Sequence, residues 1–406
     1  MKYDFTSILD RRGKDAIAVD APYVEGCFNH EYFAAATLKE GMDWIPMWVA
    51  DMNFPTVPTV QKAVVERTAH PAFGYFSPRD EYFGEIIKWQ ETRNQVTGLT
   101  KECIGYENGV LGGVSSFVEA YSLPGDWILL NDTCYTGFQS TIANRGRNIV
   151  YSPVKETADG WALDIEDMEK KIIEKKPPIM IFCNPHNPIG RVWTEEEMEK
   201  LVELCVKYNV YLLSDEIHCD FGFTRPCTTA GKFTQIYDKL VVYTAISKTF
   251  NMAGLGSSCM IIPNAELKQK IKDAYDSRWM FGPSDLAFTA MEAAYTYGDQ
   301  WVDEQCEYLK GSAEIVRKFV EEKMPEVKVT THEGTFLMWL DMTCFGKTSD
   351  ELTEIFAKEY GLAIGNGAHY GKQAEGYMRL NIGCARGILQ KGLDQMAKMY
   401  ADYINK

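Results

Sequence analysis

Paired cysteines are missing from this chain. It has 11 cysteines, an odd number, scattered singly from Cys27 to Cys384. No two stand at C-x-x-C spacing, which speaks against a zinc knuckle or a thioredoxin-like redox site. Single cysteines of this kind read as small buried hydrophobes in a reducing compartment. Histidine is scarce as well, and the six present do not gather with cysteine at metal-ligand spacings. No apolar run approaches the roughly 18 residues that a membrane-spanning helix needs. The start, Met1-Lys2-Tyr3-Asp4-Phe5 followed by Asp10-Arg11-Arg12, does not read as a signal peptide. A cytoplasmic protein with no membrane partner is expected. Positive charge is in deficit: 42 Lys and Arg stand against 57 Asp and Glu, a formal net charge of −15. Such a chain is a poor binder of nucleic acid, although a local basic pocket for a small anion stays open. Internal repeats, low-complexity tracts and long linkers are also absent.

What is there is ordinary globular material. The 406 residues are 46% apolar and 24% charged, enough for two or three domains with sizeable cores. Short apolar runs occur at Trp127–Leu130, Ile149–Val154, Ile179–Cys183, Val210–Leu213, Leu240–Thr244 and Cys259–Ile262. Apart from Ser152 and Thr244 they are apolar rather than alternating, which suits strands buried on both faces of a mainly parallel sheet. Loops and helical patterns follow them in α/β rhythm. Thr194 with Glu197 three residues on predicts a capping box and a helix to Tyr208, with Met198, Leu201, Val202 and Cys205 on one face. From about residue 290 the texture changes to charged helical stretches around a single strand-like run, Thr335–Leu340. The expected division is 1–45 as an N-terminal segment packing with the small domain, 46–290 as a large α/β domain, and 291–406 as a small α+β domain.

Ligands of open parallel sheets bind beyond the carboxyl ends of the strands. After Ile179–Cys183 comes Asn184-Pro185-His186-Asn187-Pro188-Ile189-Gly190. After Val210–Leu213 comes Ser214-Asp215-Glu216-Ile217-His218. After Leu240–Thr244 comes Ala245-Ile246-Ser247-Lys248-Thr249. Three successive strand ends thus offer an amide, an acid and a lysine. Upstream, Asn108-Gly109-Val110-Leu111-Gly112-Gly113 opens a helical stretch whose first N–H groups can face a phosphate. This is what pyridoxal phosphate (PLP) requires: a lysine for the Schiff base, an acid for the pyridine nitrogen, and a phosphate cradle. Rival motifs fail. Gly367–Lys372 is one residue short of a P-loop, and Asn108–Gly112 lacks the spacing of a dinucleotide fingerprint.

The order Asn-Pro-His-Asn-Pro-Ile-Gly, Asp-Glu-Ile-His, Ser-Lys-Thr-Phe-Asn and Arg379-Leu380-Asn381 resembles PLP-dependent enzymes of fold type I. Further segments resemble the MalY/PatB group of cystathionine or cysteine-S-conjugate β-lyases. They are Met47–Met52, Phe73-Gly74-Tyr75, Glu333–Phe336 with Trp339-Leu340, and Arg379–Cys384. The resemblance implies PLP held by Gly109, Val110, Leu111, Tyr135, Asn187, Asp215, His218, Thr244, Ser247 and Lys248. It makes Lys248 the Schiff-base lysine and catalytic base, Asp215 the partner of the ring nitrogen, and Tyr135 the aromatic stacked on the ring. Asn187 would reach the ring 3-oxygen and the substrate carboxylate, and His218 would lie on the 3-hydroxyl side. Arg379 would clamp the substrate α-carboxylate, and Tyr75 would reach the phosphate of a neighbouring subunit in a homodimer.

Two positions depart from the broader aminotransferase pattern. Ala245 stands where a phosphate-binding serine is common, with Thr244 or Ser247 as substitutes. Gly256 stands where an arginine is common, a change that the lyase group shares. The implied activity is cleavage of L-cystathionine or other cysteine S-conjugates to a thiol, pyruvate and ammonia. An aminotransferase on the same scaffold is the alternative, and a PLP-holding regulatory protein without turnover is a third reading.

Overall fold

The computed structural model describes residues 2–23, 42–157, 160–278 and 282–404. Cys27 and most of the rest of the expected N-terminal segment beyond Tyr23 lie outside the described residues. The chain divides into two units. One comprises Met1–Pro55, Pro188–Gly190 and Glu304–Lys406, the other Thr56–Asn187 and Arg191–Asp303. The divisions therefore fall at 55/56 and 303/304, not at 45/46 and 290/291. Two local packings account for the difference. The helix Asp285–Tyr297 lies across the expected cut and packs on the helices Pro58–Ala69 and Asp80–Arg93. In the other unit, Asn53 N–H donates to the Gly383 carbonyl at 2.7 Å, and Arg11 pairs with Asp51 at 2.6 Å, which keeps residues 46–55 with the C-terminal part.

The smaller unit contributes the first strand, β1 (Ile45–Met47). The larger unit carries β2 (Ile104–Glu107), β3 (Trp127–Asp132), β4 (Asn148–Thr157), β5 (Gly160–Leu163), β6 (Ile179–Cys183), β7 (Tyr211–Asp215), β8 (Leu240–Thr244) and β9 (Ser258–Ile261). They form one sheet in the order β2-β9-β8-β7-β6-β3-β4-β5. β4, β3, β6, β7 and β8 are parallel neighbours. Every residue of β6 and β8 is buried, as a sheet covered on both faces demands. β9 runs antiparallel to both its neighbours. A uniformly apolar run carries no sign of strand direction, so the sequence groups β9 with the parallel strands. The helix Glu195–Tyr208 starts with the full Thr194–Glu197 capping box.

The smaller unit completes its sheet with β10 (Lys328–Val329), β11 (Leu337–Asp341), β12 (Leu362–Asn366) and β13 (Tyr377–Asn381), in the order β1-β12-β13-β11-β10. The sequence suggests only one of these five strands. β11 begins two residues late because Thr335 has φ 66° and its hydroxyl closes a local turn on Leu337. No helix among the described residues is long and apolar enough to cross a membrane.

Candidate active site

β3 has β4 on one side and β6 on the other, and the chain then proceeds outward through β7 and β8. The strand order reverses there, and a crevice opens at the carboxyl ends at such a point. Tyr135 follows β3 and Asn187 follows β6, so both flank this reversal. Cys183, Asp215 and Tyr243 pair in register, which puts the ends of β6, β7 and β8 at one level.

Asp215 is the last residue of β7 and only 4% exposed. Its Oδ1 accepts the Ile217 N–H at 3.1 Å. Burial pushes its pKa up to about 7, against the pull of that N–H and of the Lys248 charge. Lys248 stands on the single turn Ile246–Thr249 directly after β8 and is half-buried. An acid and an amine thus face each other where the sheet ends.

The helix Val110–Tyr121 begins at Gly109, whose φ is +81°, and no side chain caps its first N–H groups. A Cβ at Gly109 would meet nothing within 4 Å, so the helix start is open. An anion is the natural partner of such a terminus. At Gly113, by contrast, a Cβ would stand 2.0 Å from the Tyr243 ring. That glycine lets the helix lie directly on β8. A buried carboxylate for a ring N–H⁺, an adjacent amine for an aldehyde, and an uncapped helix start for a phosphate together suit pyridoxal phosphate.

The remaining sequence-derived residues divide into groups. Tyr135 precedes the helix Thr136–Asn144, and its ring edge lies where a Cβ on Gly137 would be, at 2.5 Å. Asn187 and His218 are buried, at 4% and 2% exposure. Thr244 is buried, and its hydroxyl donates to the Glu216 carbonyl at 3.4 Å. Ser247 is half-buried on the lysine turn, and Ala245 caps that turn without a side-chain bond. Gly256 has φ +56°, a left-handed conformation that an arginine there would hold only under strain. All of these sit near the carboxyl ends of one sheet or on the loops that follow. Tyr75 belongs to the same unit but lies fully exposed in the irregular stretch 71–79.

Arg379 lies in the smaller unit, at the middle of β13, and is 4% exposed. It is therefore no surface ion-pair residue. Its Nη2 donates to the Trp48 carbonyl at 2.7 Å, and its guanidinium stands 4.9 Å from the Tyr370 ring centre. Asn381, two residues on, donates to the carbonyls of Val49 and Asp51. Two of the recognised sequence segments, Met47–Met52 and Arg379–Cys384, are thus one structural element.

Two acids gain a role that sequence reasoning did not assign. The Glu216 carboxylate is buried and accepts from Ser214 Oγ at 2.9 Å, from the Ala230 N–H at 2.7 Å and from Thr229 Oγ1. It holds the stretch around Thr229 against the end of β7. Asp220 accepts the hydroxyl of Thr249, the neighbour of Lys248. An acidic residue in a loop carries no sequence signal of such a contact.

Comparison with known proteins agrees with this architecture. The model of the family "Aminotransferase class I and II" matches residues 43–395. Cystathionine β-lyase PatB of Bacillus subtilis is 35% identical over 353 residues, which is 86% of this chain and 91% of PatB. Protein MalY of Escherichia coli is 29% identical over 96% of this chain and 97% of its own length. The crystal structure of cystalysin from Treponema denticola, which contains a pyridoxal 5'-phosphate cofactor, matches with a TM-score of 0.91 at 28% identity, covering 99% of this chain and 100% of that one. The PLP-bound C–S lyase of Staphylococcus hominis in complex with L-cycloserine gives a TM-score of 0.89 at 29% identity, covering 98% of each chain. The fold is that of the fold-type I PLP-dependent enzymes. The chain belongs to the class I and II aminotransferase family, within its MalY/PatB subgroup.

Proposed function

We propose that this protein is a PLP-dependent carbon–sulfur β-lyase that acts on L-cystathionine or related cysteine S-conjugates. The observation that carries the reading is the 35% identity to PatB over 86% of the chain, joined to the buried Asp215 at the sheet end, whose carboxyl feels the charge of Lys248. Bound at that end, the cofactor supplies an electron sink for the charge left at Cα when the α-proton departs.

The chain's own residues supply the rest. Lys248 Nζ takes the α-proton and passes a proton to the departing sulfur. A free lysine amine has a pKa of about 10.4, and base work at Cα requires the amine in its uncharged form. Asp215 holds the ring nitrogen as its proton partner, and burial in a low-dielectric site makes that charge pair strong. Val110 and Leu111 offer N–H groups to the phosphate, beside Gly109, whose own N–H donates to the Glu107 carbonyl at 2.9 Å, and the hydroxyls of Thr244 and Ser247 are the further candidates for it. Tyr135 stacks on the ring, Asn187 donates its amide to the ring oxygen side, and His218 lines the same side. Arg379 binds the substrate carboxylate with a fork already oriented by Trp48 and Tyr370.

A homodimer belongs to this reading. Phe73, Tyr75 and Phe76 are 61%, 102% and 46% exposed in one stretch, beside a cavity of about 400 Å³ that they line with Tyr106 and Phe288. An exposed aromatic cluster of this kind suits burial against a second copy, with Tyr75 reaching its phosphate site. Buried thiols such as Cys183 and Cys205 support a cytoplasmic location.

The test is turnover of L-cystathionine with no oxo acid present. A lyase releases thiol, pyruvate and ammonia in equal amounts over many cycles. An aminotransferase stops after one equivalent and resumes when an oxo acid is added. The family model, Aminotransferase class I and II, covers both readings, and this experiment decides between them.

A further inference from the structure

The turn that carries Lys248 is only four residues long. One turn is too short to hold itself in place, since helices this short gain little from their own hydrogen bonds. Something outside it must fix the lysine. Thr249 supplies the link: its hydroxyl donates to Asp220 Oδ2 at 2.7 Å. The other oxygen, Oδ1, accepts from Trp89 Nε1 at 3.2 Å and faces Arg93 Nε at 3.5 Å. The Asp220 side chain is 4% exposed, so these contacts act away from water.

The anchor is itself anchored. Arg93 also pairs with Asp299 at 3.2 Å and Asp303 at 3.0 Å, and its guanidinium lies 5.0 Å from the Trp89 ring centre. Phe250, next along from Thr249, stacks on Trp301 at 5.6 Å. The helices Asp80–Arg93 and Asp299–Lys323 thereby reach the lysine turn through one buried carboxylate and one aromatic ring. Asp215 faces Lys248 from β7, and Asp220 lies five residues beyond it. One short segment thus carries both Asp215, whose carboxyl feels the charge of Lys248, and Asp220, which holds Thr249.

We propose that Asp220, acting through Thr249, is a positioning residue that orients Lys248 for proton transfer. The proposal rests on the reading of Lys248 as the reacting lysine. Asp220 touches neither substrate nor cofactor in this account.

The test compares Thr249→Val, which loses the hydroxyl at nearly equal volume, with Thr249→Ser, which keeps it. Thr249→Val should lower kcat roughly 10- to 100-fold, the range for a reacting group slightly misplaced, with KM changed far less. Thr249→Ser should recover most of that loss. Asp220→Asn should also lower kcat, and adding Thr249→Val to it should cost less than Thr249→Val costs in the wild type, because both act on the Thr249–Asp220 contact.

A second readout needs no turnover. In cofactor-free protein, the pH dependence of reductive methylation at Lys248, followed by mass spectrometry, should shift in Thr249→Val and not in Thr249→Ser. Wild-type kcat and an unshifted methylation profile in Thr249→Val would overturn the proposal. So would equal loss in the Val and Ser variants. If borohydride reduction of the holoenzyme labels some other lysine, the reading of Lys248 itself fails. A label on Lys248 together with unaffected Thr249 variants rejects only the positioning role.

Discussion

Arg379 and Trp48 are joined by a 2.7 Å hydrogen bond across 331 residues of sequence. The bond uses one Nη2 proton and, with the Tyr370 ring at 4.9 Å, fixes the plane of the guanidinium before any ligand arrives. A fork held in this way gives up little rotational freedom when it meets a carboxylate.

Arg379→Ala should therefore raise KM steeply. Loss of a charge-assisted, bidentate contact costs on the order of 1.5–3 kcal/mol, or roughly 10- to 150-fold in kcat/KM. The reducible cofactor linkage on Lys248 should be unaffected, because Arg379 is assigned to the substrate and not to the ring. Steady-state kinetics together with the borohydride label check both halves. Unchanged kinetics would remove Arg379 from the substrate site.

Borohydride reduction of the holoenzyme, then peptide mapping, should find a phosphopyridoxyl group on Lys248. Lys248→Ala should abolish turnover while leaving the fold intact, since the half-buried side chain contributes little to the core. A label on a different lysine would sink the assignment.

The larger unit was the legible part of the fold. Its inner strands are buried on both faces, so Ile179–Cys183 and Leu240–Thr244 stand out as unbroken apolar runs bounded by loop residues. The helix at Glu195–Tyr208 declares itself through its capping box. In the smaller unit this contrast fails. β13 carries Arg379 and Asn381 among its apolar residues, and β1 is three residues long with Pro46 at its centre. Its partner is β12, more than 300 residues away, and no local pattern encodes that pairing. The site divides along the same line. Asp215 and Lys248 are legible because one ends β7 and the other stands on the turn straight after β8, whereas the Thr249–Asp220 contact exists only once the loop after β7 has folded.

Asp215 should make the cofactor-free protein sensitive to pH. Its folded pKa, raised to about 7 by burial, lies above the unfolded value of 3.8. Between these values the folded state binds the extra proton, so this group favours folding most at low pH. That contribution is lost as pH rises from about 4 through 7. Asp215→Asn cannot titrate. Wild-type protein should lose stability relative to the variant by at most about 1.4 kcal/mol per pH unit across that window. Urea unfolding at pH 5, 6 and 7.5 measures the difference. Glu216, also raised to about 7, titrates in both proteins and cancels. A constant difference across the window would remove the buried-acid account.

Tyr75 allows the dimer and its shared site to be tested together. If Tyr75 serves the phosphate of the neighbouring subunit, each site combines Lys248 of one protomer with Tyr75 of its partner. Tyr75→Ala should weaken cofactor binding, and Lys248→Ala should be inactive. When the two variants are unfolded, mixed in equal amounts and refolded, about half the dimers are mixed. One site in each mixed dimer then carries both native residues, and the other carries neither. Activity should return to about a quarter of the wild-type value, above the residual of Tyr75→Ala alone. Light scattering should give the mass of two chains throughout. If Tyr75 instead served its own subunit, no mixed dimer would contain an intact site, and mixing would restore nothing. A monomer by light scattering with full activity would remove the shared site altogether.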